Sequence, residues 1–251
     1  RRRGATLPPS SSAPAAVETS QAGMVVVAVL PRTSRTLYGA PRSRSNEWAP
    51  ALLFADPADN PGGGGRGNTT YILAAFHAAG VTGCALSPFF DAPLVARAMA
   101  AGEGAVIEAA FNTGETQELS LPFTAEARVR GLFDGAFIGT QGMAAGKSMN
   151  TGPTAVLEVG GVTVVVVSQR QQALSSDYFS AFGIDPTAMR SLVVKSRGHF
   201  RAGFSHLFDP ARIHEVDVLG LTSPVLARFD WRYLPRPVFP LDEDATWSPP
   251  M

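Results

Sequence analysis

The residues able to do chemistry gather in two places. Residues 56–70 read Asp-Pro-Ala-Asp-Asn-Pro-Gly-Gly-Gly-Gly-Arg-Gly-Asn-Thr-Thr, and residues 195–202 read Lys-Ser-Arg-Gly-His-Phe-Arg-Ala. In the first, Asp59 and Asn60 can take a proton, orient water or hydrogen-bond a peptide group. Glycines let backbone N–H groups come close to a ligand, and a helix starting just after them attracts anions. The same Asp and Asn also suit a turn that caps its own backbone, but so long and polar a segment points to function. In the second, His199 is by type a proton shuttle and Arg201 a bidentate clamp for a carboxylate. Their structural alternative, capping a helix or pairing with buried aspartates, fits the local sequence equally well.

Other patterns carry less. Gly62-x-Gly64-x-x-Gly67 with Asp91 downstream matches a dinucleotide fingerprint, but six residues separate the strand end from the first glycine, and a run of glycines produces the pattern trivially. Gly146-Lys147-Ser148 lacks the earlier glycine of a phosphate loop, since position 141 is Gln141, and Pro153 blocks the helix that should follow. The four histidines, His77, His199, His206 and His214, form neither His-Glu-x-x-His nor His-x-His. Cys84 is the only cysteine, so an intrachain disulfide and a Cys-based zinc site are both excluded; its apolar neighbours mark a buried, inert thiol. No Gly-x-Ser-x-Gly elbow supports serine hydrolase chemistry.

These residues need elements to hold them. Ala51 to Ala55 reads as a buried strand stopped by Asp56-Pro57, and Thr69 to Ala79 as a helix with Ile72, Leu73 and Phe76 on one face. A strand at Val81 to Ser87, a helix carrying Leu94, Val95, Ala98 and Met99, and a strand at Ala105 to Phe111 follow. This β-α-β-α-β order predicts α/β layers with a mixed, partly parallel sheet and flanking helices. In the second half Thr154–Val159 and Val162–Ser168 flank Gly160-Gly161, a two-residue hairpin signal, and the valine-rich arm suits a sheet buried on both faces. A short helix at 176–182, strands at 192–195 and 213–218 and a helix at 199–207 complete the reading.

Among 251 residues, 45% are hydrophobic and 17% charged, a composition that supports a packed core. Twenty-one cations balance 21 anions, so no net charge steers the chain to nucleic acid or an anionic membrane surface. Apolar runs such as Val162 to Val167 are far short of the roughly 20 residues a membrane helix needs. Residues 1–23, rich in Arg, Ala, Ser and Pro, read as linker or disordered chain, residues 24–50 as an irregular lead-in, and 51–245 as one domain. The opening Arg1-Arg2-Arg3 suggests a piece of a longer product.

Taken in order, the segments from Asp56 to Gly64, Ala101 to Ala105, Ser168 to Gln172, Gly183 to Pro186, Val194 to Ser196 with His199 to Ala202, and Arg236-Pro237 with Pro240 to Asp242 resemble the C-terminal domain of the MlrC family of metallopeptidases. That resemblance implies a part of a zinc-dependent peptidase or amidohydrolase in which metal-activated water attacks a peptide or amide carbonyl. It also implies that the zinc ligands belong to an N-terminal metal-binding domain with no counterpart here. This chain would form one wall of the cleft for a small peptide-like substrate and be inactive alone. The expected catalytic residues are Asp59, Asn60 and His199; the expected substrate-binding residues are Asp56, Gly62, Gly63, Gly64, Lys195, Ser196 and Arg201; no metal ligand is expected within the chain. Asn68 stands where the resemblance leads one to expect an acidic residue. A cytoplasmic location is expected. The competing classes are a non-catalytic binding module or decayed paralogue, and a nucleotide-binding α/β domain.

Overall fold

A computed structural model describes residues 24–25, 51–114 and 119–246. The linker expected over 1–23 lies outside them, as does the lead-in apart from Met24–Val25.

The elements, in chain order, are β1 (Met24–Val25), β2 (Leu52–Ala55), α1 (Tyr71–Ala78), β3 (Cys84–Phe90), α2 (Ala92–Ala101), β4 (Val106–Phe111), β5 (Phe123–Phe133), β6 (Ala136–Ile138), β7 (Ser148–Asn150), β8 (Thr154–Val159), β9 (Val162–Val167), α3 (Asp177–Ser180), β10 (Ser191–Val194), α4 (Phe200–Phe204) and β11 (Ile213–Val216). The main sheet has nine strands in the order β1-β11-β2-β10-β3-β9-β8-β5-β4. From β1 to β9 every neighbouring pair is parallel; from β9 to β4 every pair is antiparallel. The fold is thus mixed α/β, as the sequence pattern implies.

Side chains along the central strands alternate between two cores, because successive residues of a strand point to opposite faces. Phe54, Leu86, Val164, Val166 and Val193 pack with Ile72, Leu73 and Phe76 of α1 and with Leu94, Val95 and Ala98 of α2. Leu53, Ala55, Ala85, Val165, Val167, Leu192 and Val194 pack on the other face with Phe179 of α3 and Phe200 and Phe204 of α4. Helices therefore cover both faces, which is why the valine run of β9 carries almost no polar residue.

Three differences from the sequence reading have local causes. The strand expected at Val81–Ser87 starts later because Val81 is spent closing α1, its N–H donating to Phe76 O at 3.0 Å. The third strand of the β-α-β-α-β series, β4, lies at the far antiparallel edge and pairs only with β5. Strands β5, β6 and β7 were not expected. β5 shows period-2 burial, with Ala127, Val129 and Gly131 inward and Glu126, Arg128 and Arg130 outward, and its charges interrupt any apolar run.

No helix among the described residues is long and apolar enough to cross a membrane.

Candidate functional site

The parallel strands β2, β3, β9 and β10 all end at the same edge of the sheet, where clefts form in open α/β folds. The loop after β2 carries residues 56–70, the loop after β9 carries residues 168–176, and the loop after β10 carries Lys195, Ser196 and His199. Residues more than a hundred positions apart in sequence meet there.

The centre is Lys195. Its Nζ donates to Asp56 Oδ2 at 3.2 Å, Asp59 Oδ2 at 2.9 Å, Thr69 O at 2.8 Å and Thr69 Oγ1 at 2.9 Å, and lies 5.5 Å from the centre of the Phe89 ring. Asp56, Asp59 and Lys195 are 0%, 1% and 1% exposed. An ammonium in so dry a place survives only because two carboxylates face it. Burial alone would drop the Lys195 pKa, but Asp59 and Asp56 outweigh it and hold the amine above its usual range. Burial raises Asp56, more than Lys195 lowers it. Burial also works against the Asp59 charge, yet Lys195 and the N–H groups of Thr69 and Gly67 outweigh it and keep this carboxyl below the usual range.

Asp59 also organises the loop. Its Oδ1 accepts from Gly67 N at 2.7 Å and its Oδ2 from Thr69 N at 2.7 Å and Thr69 Oγ1 at 3.0 Å, so the anion attracted to the start of α1 is the protein's own carboxylate. Thr70, which precedes α1, makes no capping bond with its side chain. The glycine N–H groups are likewise used internally: Gly62 donates to Asn60 Oδ1, Gly63 and Gly65 to Asn60 O, and Gly64 to Pro61 O. Asn60 itself is fixed by its N–H to Thr222 Oγ1 at 2.9 Å, while Thr222 donates from that oxygen to Pro57 O at 2.8 Å. Its side-chain Nδ2 lies beside Gly63 and has no hydrogen-bond acceptor among the described contacts.

A second group lies against this loop. Gln172 Nε2 donates to Ser196 Oγ at 2.8 Å, and Gln172 Oε1 is 3.2 Å from His199 Nδ1. Ser196 is buried and His199 is exposed. Gly62 packs directly on the Gln172 amide, since a Cβ there would fall 2.0 Å from Oε1. Arg201 turns elsewhere, pairing with Glu215 of β11 at 2.9 Å. Asn68 is held inside by Asn112, its Nδ2 donating to Asn112 Oδ1 at 3.0 Å, and together with Asp59, Arg66, Thr69, Leu119, Ser120 and Leu221 it borders a cavity of about 10 Å³, the lower limit for one water.

The structure thus joins the two sequence-predicted constellations through Lys195. It puts Asp56, Asp59, Lys195 and Ser196 inside, keeps Asn60 buried at 8% exposure, and leaves His199 exposed. Sequence reasoning missed Gln172, Thr69 and Thr222 as members of the site, although Gln172 lies in a stretch quoted for the family resemblance. Polar side chains in loops give no local sign of which distant partner they choose. Cys84 is fully buried, and burial pushes its thiol up to about 12. Among the described residues no three His, Cys, Asp or Glu side chains come together as a metal site.

Comparison with known proteins gives a consistent picture. Residues 54–233 match the model of the family described as MlrC C-terminus. Microcystinase C from Sphingomonas sp. is 26% identical over 156 residues, covering 62% of this chain and 30% of that protein. A solved structure from Mesorhizobium sp. BNC1, whose name assigns it to the metallopeptidases, is 27% identical with a TM-score of 0.68, covering 79% of this chain and 39% of that one. The chain therefore spans well under half the length of each of these relatives.

Proposed function

The chain belongs to the MlrC C-terminal family, and from that membership we propose that it is part of a zinc-dependent peptidase or amidohydrolase, forming one wall of a cleft for a peptide-like substrate. The observation that carries this reading is the meeting of the loops after β2, β9 and β10 around Lys195 at the carboxyl edge of the parallel strands.

The residues here do not fit a zinc site of their own. Among the described residues no cluster of three metal-ligating side chains is present, and the paired acids Asp56 and Asp59 already share the ammonium of Lys195. Zinc ligands are therefore assigned to a further, N-terminal domain of the longer relatives' kind. Within this chain the work divides by depth. Asp56, Asp59, Lys195 and Ser196 act from inside, holding the loops. Gly62 and Gly63 pack so closely that side chains there would press on Gln172, Asn60 and Thr222, while Gly64 takes a φ of +97° that other residues rarely adopt. Asn60 offers Nδ2 to a substrate carbonyl, and His199 offers a ring nitrogen for proton transfer. Arg201 would reach a substrate carboxylate only by releasing Glu215.

The test is to measure zinc and peptide hydrolysis for this chain alone and for the same chain supplied with the metal-binding domain of a relative. Alone, it should hold well below one zinc per molecule and cleave nothing; with the domain supplied, zinc and hydrolysis should both rise, and His199→Ala and Asn60→Ala should lower the hydrolysis. Tight stoichiometric zinc on the isolated chain would refute the placement of the ligands. Zinc without hydrolysis in the joined protein would favour a binding module.

A further inference from the structure

We infer that Gln172 is a positioning residue that fixes the tautomer of His199, placing the proton on Nδ1 and leaving Nε2 as the basic nitrogen that faces outward. The argument follows the hydrogen bonds. Gln172 Nε2 donates to Ser196 Oγ at 2.8 Å. A planar amide that points its nitrogen at Ser196 must point its oxygen the other way, and that oxygen lies 3.2 Å from His199 Nδ1. An amide oxygen only accepts, so Nδ1 must carry the hydrogen; in the neutral ring Nε2 then keeps its lone pair. The tautomer of a histidine is set in this way by the bond its other nitrogen makes.

The amide is held from both sides. Ser196 is buried at the end of β10, directly after the fully engaged Lys195, and its N–H donates to Val194 O at 3.1 Å. On the other side Gly62 leaves room for Oε1 that any larger residue would fill. The glycine at 62 is thus explained by the amide it faces rather than by a ligand, and the buried charge cluster is linked to the exposed ring through Lys195, Ser196 and Gln172.

This inference rests on the reading that His199 transfers protons in the cleft, but its test does not need substrate or zinc. The full chain, labelled with ¹⁵N in its histidines, would be studied by long-range ¹H–¹⁵N correlation at a pH above the imidazole titration. His199 should show the Nδ1–H form. Gln172→Met, which keeps the length but removes the acceptor, should convert it to the Nε2–H form that a free ring prefers, and Gln172→Glu, which restores an acceptor, should return the Nδ1–H form. Gly62→Ala should release the ring as well, by displacing the amide, while backbone signals far from the loop stay in place. An Nε2–H ring in the unaltered protein, or a ring unmoved by both Gln172→Met and Gly62→Ala, would overturn the inference. Either result leaves the zinc and hydrolysis measurements to decide the proposed function separately.

Discussion

At the scale of single residues, the stability of the site depends on one ammonium. Lys195 satisfies two carboxylates, a carbonyl and a hydroxyl. Removing one partner of a buried ion pair strands the other charge, at a cost of about 3–5 kcal/mol. Lys195→Met should therefore lose about that much in urea unfolding, despite its good apolar packing against Phe89. Asp59 dictates a pH dependence. Its folded pKa lies below the ordinary aspartate value of 3.8, so its contribution is complete above pH 3.8 and is lost as pH falls through the depressed value. Asp56 is raised, so it works in the opposite sense, favouring the folded state as pH drops toward 3.8. Asp59 therefore contributes to the acid limb below pH 3.8 together with Asp177 and Asp242, whose carboxyls are also depressed, and acid titration followed by circular dichroism should show Asp59→Asn making that limb shallower. Both constellations were legible from residue types and spacing. Their union was not, since nothing local in Lys195-Ser196 says that its ammonium reaches Asp59, 136 positions earlier.

At the scale of elements, the loop after β2 and the short helix α4 decide where the outward groups sit. Two glycines in that loop make opposite predictions. At Gly65 an added Cβ would meet the backbone of Asn60 and Asp59 at 2.7–2.9 Å, and backbone cannot move aside cheaply. Gly65→Ala should cost about 1–3 kcal/mol by overpacking. At Gly62 the obstacle is the end of a flexible glutamine, so Gly62→Ala should unfold within about 0.5 kcal/mol of the parent in the same urea assay. Equal losses at the two positions would contradict this account of the loop. α4 has five residues and no side-chain cap, so it owes its place to Phe200 and Phe204, which stack edge-on at 6.2 Å within the second core. Phe200→Ala should cost about 3–5 kcal/mol and loosen the adjacent His199. The periodicities of α1, α2 and the valine arm made those elements legible in advance. β5 carried a signal too, the alternation from Glu126 to Gly131, but its outward charges broke the apolar run by which buried strands are recognised. The two-residue β1 and the three-residue β6 and β7 are too short to impose any period.

At the scale of the whole molecule, the sheet is covered on both faces, yet apolar surface is unevenly spread. Of the nine exposed large hydrophobic side chains among the described residues, five lie between positions 219 and 239: Leu219, Leu221, Trp231, Tyr233 and Phe239. Tyr233 and Phe239 are 96% and 74% exposed, so they contribute almost nothing to folding, and keeping them in water has an unfavourable hydration cost. This stretch is anchored to the site, because Thr222 N donates to Ala58 O at 2.9 Å and Gly220 sits so close to Ala58 that a Cβ would lie 2.2 Å from its carbonyl oxygen. Rings left in water favour contact with another apolar surface, and in a preparation of this chain alone the available surface is a second copy. Sedimentation velocity should therefore show association that grows with concentration. Tyr233→Ser combined with Phe239→Ser should reduce it while urea stability stays within about 0.5 kcal/mol, as expected for exposed positions. A chain that stays monomeric across the concentration range would show that these rings do not act as a contact surface between copies. Association unchanged in the double variant would move the contact to the remaining exposed positions, Leu219, Leu221 and Trp231 included.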